Sequence, residues 1–160
     1  MARVASPYRD RAKKLLSEWN VNFSEVAEGE AGPPASFDDA RQKGKDFVTD
    51  LESVVGEASL AKKQATVAQG VEKVELDAKY EEAAEAALQQ SAEALSMFDL
   101  ALRLAEKSTL RADINNVRYL QCYCYFATQR YIESSLIAEF LLKKYPNVDG
   151  TRSAMTLLIQ

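Results

Sequence analysis

The chain has 160 residues, a net charge of −4, no histidine, two cysteines, six glycines and four prolines. That length suffices for one domain with a real hydrophobic core. Its charges of both signs are interspersed, which does not favour nucleic acid, whose binders carry a concentrated basic face. The lack of histidine removes the commonest general base and metal ligand, and no Gly-rich phosphate loop is present. The expectation is therefore a chain with no catalytic residues, no cofactor and no metal, and with no nucleic acid among its partners. No window approaches the roughly 18 consecutive apolar residues of a membrane-spanning helix, so direct membrane insertion is not expected. The N-terminus lacks the apolar core of a signal peptide, and the compartment stays open.

In chain order, Ser6-Pro7 resembles an N-cap followed by proline in a first turn. A helix is expected from Pro7 to Trp19, with Tyr8, Ala12, Leu15, Leu16 and Trp19 on one face. The basic residues Arg9, Arg11, Lys13 and Lys14 then form its solvated side. Residues 27–36, AEGEAGPPAS, read as a loop rich in glycine and proline. Ser36 or Asp38 caps the next helix, whose apolar residues Phe37, Ala40, Phe47, Leu51, Val54 and Val55 recur at helical spacing. Between Leu60 and Leu88 the pattern predicts one long helix. Its seam, Leu60, Gln64, Val67, Val71, Val74 and Ala78, alternates steps of four and three, although Gly56 and Gly70 weaken it. The seam either self-associates as a coiled coil or packs against the preceding helix of the same chain.

Gln89, Gln90 and Ser91 read as a turn, after which a helix runs from Ala92 to Glu106. The alanine-rich segment Ala78 to Leu88 is expected to pack against it. A connection from Lys107 to Asn116 leads to the helices Asn116–Thr128 and Tyr131–Lys144, closed by Pro146. Cys122 and Cys124 lie two apart on the first of these, so they face different sides and cannot pair with each other. With no further cysteine or histidine they form no zinc pattern, and both are expected to be small core residues. Residues 148–160 open a further helix with Ala154, Leu157 and Leu158 on one face. It stops at Gln160 without a glycine cap or a polar closing helix, the pattern expected of a fragment of a longer repeat protein.

In the segment Asn115 to Pro146, Cys122 is a small residue on the first helix, Tyr125 an aromatic three residues on, Gln129-Arg130-Tyr131 the turn and Glu133-Ser134 the start of the second helix, with Ala138 one turn on and Pro146 at the close. In these positions the segment resembles the tetratricopeptide repeat family, with Glu133-Ser134 in place of Glu-Ala. Arg118, Gln121 and Gln129 depart from the usual Trp, Leu and Gly. Glu93-Ala94, Phe98 and Ala101 resemble the same pattern upstream. Ala94 and Ser134 are 40 residues apart, more than the family's period of about 34. The resemblance implies an all-α fold of stacked antiparallel helix pairs, a right-handed α-solenoid. Residues 1–160 then form a single domain: 1–70 hold divergent N-terminal helices, 71–108 a degenerate repeat, 115–146 the clearest repeat and 148–160 the start of a further helix. In both repeat units Ala94, Phe98, Ala101, Cys122, Tyr125, Ala138 and Leu141 are expected in the core.

Tyr119, Tyr123 and Phe126, four and three residues apart, fall on one stripe of the helix, which Asn116 and Arg130 extend. The resemblance places this stripe on the concave groove, where tyrosines give large contact area at low entropic cost. The alternative is a stripe that packs on the next repeat. The expected function is a non-catalytic protein–protein interaction module that binds a peptide or partner helix. The alternatives are an architectural or self-associating segment, and an enzyme or small-ligand-binding helical domain.

Overall fold

The fold is that of a computed structural model, which describes residues 33–147 and 149–159. The expected helix from Pro7 to Trp19, its basic face and most of the loop 27–36 lie outside the described residues. Five helices and no strand occur among the described residues: α1, Phe37–Ala65; α2, Gly70–Leu104; α3, Arg111–Ala127; α4, Tyr131–Lys144; and α5, Asp149–Ile159. The chain is all-α over this span.

Helix α1 starts where the sequence supplies a cap. Ser36 is in extended backbone, and its hydroxyl accepts from the Asp39 amide at 3.1 Å, which supports the first turn by about 1 kcal/mol. Asp38 and Asp39 at this end, with Lys62 and Lys63 at the other, complement the helix dipole. Phe37, Ala40, Gly44, Val48, Leu51, Ala58, Ala61 and Ala65 form its buried stripe. The stripe faces Ala87, Ser91, Ala94, Phe98 and Ala101 of α2. The two run antiparallel: Gly44 abuts the Phe98 ring, and Lys62 lies over the Tyr80 ring at 5.2 Å.

Two expectations fail here. The predicted long helix from Leu60 to Leu88 is broken by a turn at Thr66 to Gln69, and α2 opens on Gly70 at φ +62. That left-handed backbone is open to glycine without steric cost. Leu60, Val67, Val71 and Val74 of the supposed seam are 57%, 82%, 76% and 68% exposed, so they do not pack against the preceding helix. The expected turn at Gln89–Ser91 is instead continuous helix. Nothing in Gln-Gln-Ser breaks a helix, and Ser91 is buried with its hydroxyl donating to the Cys124 carbonyl at 3.3 Å. Ala78–Leu88 and Ala92–Leu104 are thus one helix, and their expected pairing is replaced by that of α1 with α2.

Helix α3 begins at Arg111, earlier than the expected Asn116. It turns into the antiparallel α4 through a Schellman closure: Arg130 N–H donates to Tyr125 O at 2.8 Å and Gln129 N–H to Phe126 O at 3.0 Å. Gln129 holds φ 62, the left-handed turn position, without being glycine. Ser134 Oγ donates to Cys122 O at 3.0 Å and locks the two helices at close approach. Helix α5 lies on both α3 and α4. Thr151 and Ala154 are fully buried there, and the Thr151 hydroxyl donates to Tyr145 O at 2.7 Å. Leu157 is partly buried beside Ala154.

Two apolar clusters result, and α3 is the wall between them. Val117 and Cys124 join Leu51, Phe98 and Ala101 on one side, while Cys122 joins Ala138, Leu141 and Ala154 on the other. The cysteines are free and face apart, as their spacing predicts. Ala94, Phe98, Ala101, Cys122, Ala138 and Leu141 are all fully buried. Tyr125 is not: it stays partly exposed, with the exposed Arg130 guanidinium lying over its ring at 4.6 Å. Polar links tie α3 to the first pair. Arg41 of α1 bonds Asp113, and Gln121 donates to Asp99 of α2 at 2.7 Å.

Candidate functional site: the tyrosine face of α3

Tyr119 and Tyr123 are one helical turn apart on α3 and half-buried. They look toward different neighbours. Tyr119 packs against the cluster of α4 and α5, beside Gly150 and near Ser153. Tyr123 packs against the cluster of α1 and α2, with the Glu52 carboxylate nearby. The pair therefore bridges α1 to α5 across the face of α3. Glu52 is close enough to act on both phenols.

Burial raises the pKa of both phenols, that of Tyr123 to about 12, with the Glu52 charge adding to the shift. Both are neutral hydroxyls at ordinary pH, suited to hydrogen bonding and aromatic contact rather than to proton transfer. Burial likewise raises both thiols, Cys124 to about 12. A thiol kept protonated in an apolar core is a poor nucleophile.

The other three expected site residues lie differently. Asn116 is half-buried in the second turn of α3. Phe126 meets the Tyr131 ring edge-on at 5.7 Å, beside the α3–α4 turn. Arg130 is exposed, pairs with Glu133 at 2.6 Å and covers Tyr125. The structure brings Tyr119 and Tyr123 together, whereas Phe126 and Arg130 are engaged with the start of α4. Sequence reasoning missed Glu52 and Ser153, which reach the face from α1 and α5. Neither carries a local signal that separates it from other surface Glu and Ser residues.

Two further surfaces are open. Helix α4 presents Ile132, Leu136 and Phe140 at 75%, 61% and 41% exposure. A groove of about 370 Å³ runs between α1, α2 and the α3–α4 turn, walled mainly by Ala58, Ala84, Ala87 and Leu88, with Lys62 and Tyr80 at its side. Among the described residues no cluster of acidic or cysteine side chains could hold a metal ion, and no helix is long and apolar enough to cross a membrane. No protein-family model, curated protein or solved structure matches this chain.

Proposed function

We propose that this chain is a non-catalytic, tetratricopeptide-like scaffold that binds an amphipathic helix of another protein. The observation that carries the reading is the uncovered stripe on α4. Ile132, Leu136 and Phe140 recur every four residues on one face, a ridge that fits the grooves of a second helix. Isolated exposed apolar side chains need no explanation, but a continuous row of large ones marks a contact surface. The repeat reading is supported by packing order. Helices α1, α3 and α5 run in one direction, with α2 and α4 antiparallel between them. Tyr119 and Ser153, which lie near each other across α3 and α5, are separated by about 34 residues, the family's period. In such a stack Tyr119, Tyr123 and Glu52 occupy the concave side, which serves as a second contact face.

A photo-crosslinking residue placed at Leu136, Tyr123 or the exposed control Glu57 tests the proposal in extracts of the cells that express the protein. Discrete adducts from Leu136, lost when Ile132 is changed to Asp, support it. Equal labelling from all three sites, or none from Leu136 and Tyr123, refutes it. A second reading, self-association, is favoured by the exposed apolar tip of the α1–α2 hairpin, where Leu60, Val67, Val71 and Val74 gather. A monomeric mass in sedimentation equilibrium up to high concentration eliminates that reading.

A further inference from the structure

A hollow of about 260 Å³ opens at the N-terminal end of α3, lined by Arg111, Ile114, Asn115 and Arg118 of that helix and by Tyr145 just beyond α4. Its floor is polar and incompletely satisfied. Asn115 is 1% exposed, its Oδ1 accepts from Arg118 Nη1 at 3.1 Å, and its Nδ2 has no hydrogen-bond partner among the described residues. A buried amide donor without an acceptor is costly, and in native proteins such a group signals a missing partner.

The donors around it are held in place. The Arg118 guanidinium is fixed on one side by Asn115 and lies over the Phe140 ring at 5.1 Å. Phe140 is itself steadied edge-on by Tyr145 at 5.9 Å. A guanidinium has five N–H donors in a rigid fork, and among the described residues only one on Arg118 is engaged by a hydrogen bond, that to Asn115. Arg111 adds a second positive charge at the rim. The start of α3 adds the positive end of a helix, since Leu110 offers no side-chain cap. The one acidic residue in that first turn, Asp113, is taken by Arg41 on the side facing α1. No carboxylate is among the described residues that line the hollow.

We infer that this hollow is a binding site for an oxyanion, a phosphate or carboxylate group. The anion accepts from Arg118, receives the orphaned Nδ2–H of Asn115 as a further donor, and is drawn in by Arg111 and the helix terminus. Asn115 is the discriminating element. Two surface arginines alone attract any anion weakly, whereas a buried amide fixes where its oxygen sits.

The test is a titration of the folded protein with sodium phosphate, with sodium acetate as a parallel arm, each against sodium chloride at equal ionic strength. The side-chain amide of Asn115 and the Arg118 Nε–H are followed by NMR. The expected result is a saturable shift of both signals in one or both arms, at millimolar concentration. Saturation by phosphate only assigns a phosphate group, and saturation by acetate as well assigns carboxylates too. Arg118→Gln should abolish saturation, and Asn115→Leu should weaken it at least tenfold. Arg111→Gln, at an exposed position with no structural partner among the described residues, should weaken it severalfold with an unchanged circular dichroism spectrum. It keeps the test decisive if a buried substitution unfolds the chain. No saturable shift in either arm, or undiminished saturation in both Arg118→Gln and Arg111→Gln, overturns the inference.

Discussion

Two glycines on one helix should respond to the same substitution with opposite sign. Gly44 and Gly56 both lie within α1. A Cβ added at Gly44 would fall 2.5, 2.7 and 3.0 Å from atoms of the Phe98 ring. Phe98 is fully buried at the centre of the first cluster and cannot swing away. Relieving that overlap requires the helices to part or the ring to leave its rotamer, a cost of about 1–3 kcal/mol. Replacing a helical glycine by alanine returns about 1 kcal/mol through backbone entropy. At Gly44 the clash offsets that gain, and Gly44→Ala should lose up to about 2 kcal/mol. At Gly56 a Cβ meets nothing within 4 Å, so Gly56→Ala should gain about 1 kcal/mol. Urea unfolding followed by far-ultraviolet circular dichroism measures both. In a Phe98→Leu background Gly44→Ala should cost less than it does in the parent protein, because the smaller side chain leaves room for the methyl. If Gly44→Ala is as stable as Gly56→Ala, the α1–α2 register set by Gly44 against Phe98 is wrong.

Three further outcomes follow from the same geometry. Gln129→Gly should stabilise the protein by about 0.5–1 kcal/mol, since it removes the strain of a left-handed non-glycine residue at the α3–α4 turn; a lowered melting temperature would contradict that turn. Ala138→Glu puts an unpaired charge where Cys122, Leu141 and Ala154 meet, and should cost at least about 3 kcal/mol; an unchanged melting temperature would rule out this core. Alkaline stability has a definite sign. Cys124 and Tyr123 have folded pKa values raised to about 12. Their contribution is complete below the unfolded pKa of each group and is lost as pH rises through the folded one. Between those two values each group loses about 1.4 kcal/mol for every step of about one in pH. Cys124→Ala should flatten the decline expected between pH 9 and 12 in urea midpoints; an equally steep decline would remove Cys124 as its cause.

Much of this fold is legible in the sequence where local chemistry and tertiary packing agree. Ser36 has the right neighbours for a cap, and α4 spans Tyr131–Lys144 as its apolar pattern and flanking residues predict. Small residues at Ala94, Ala101, Cys122 and Ala138 mark where helices approach. The failures have physical causes. The 4–3 alternation from Leu60 to Val74 continues across a turn, so periodicity implies one helix where the backbone reverses. Gly70 is the only clue, and a single glycine is also tolerated inside helices. Gln89-Gln90-Ser91 has turn-like polarity, yet Ser91 is there because a small side chain can sit against α3. The shared face of Tyr119 and Tyr123 follows from a spacing of four. Their partners Glu52 and Ser153 come from helices distant in sequence, and no local pattern could supply them.

The placement of Cys122 and Cys124 equips the protein with two internal clocks. Each thiol is sealed in a different cluster on opposite sides of one helix, and neither is bonded to the other. A small alkylating reagent can reach Cys122 only when α4 and α5 lift away, and Cys124 only when the first helical pair separates from α3. The ratio of the two modification rates therefore measures how independently the halves breathe. Equal rates would make α3 the hinge of a single all-or-none unit. A faster Cys122 would mean that the C-terminal helices detach while the hairpin stays closed on its side of the wall.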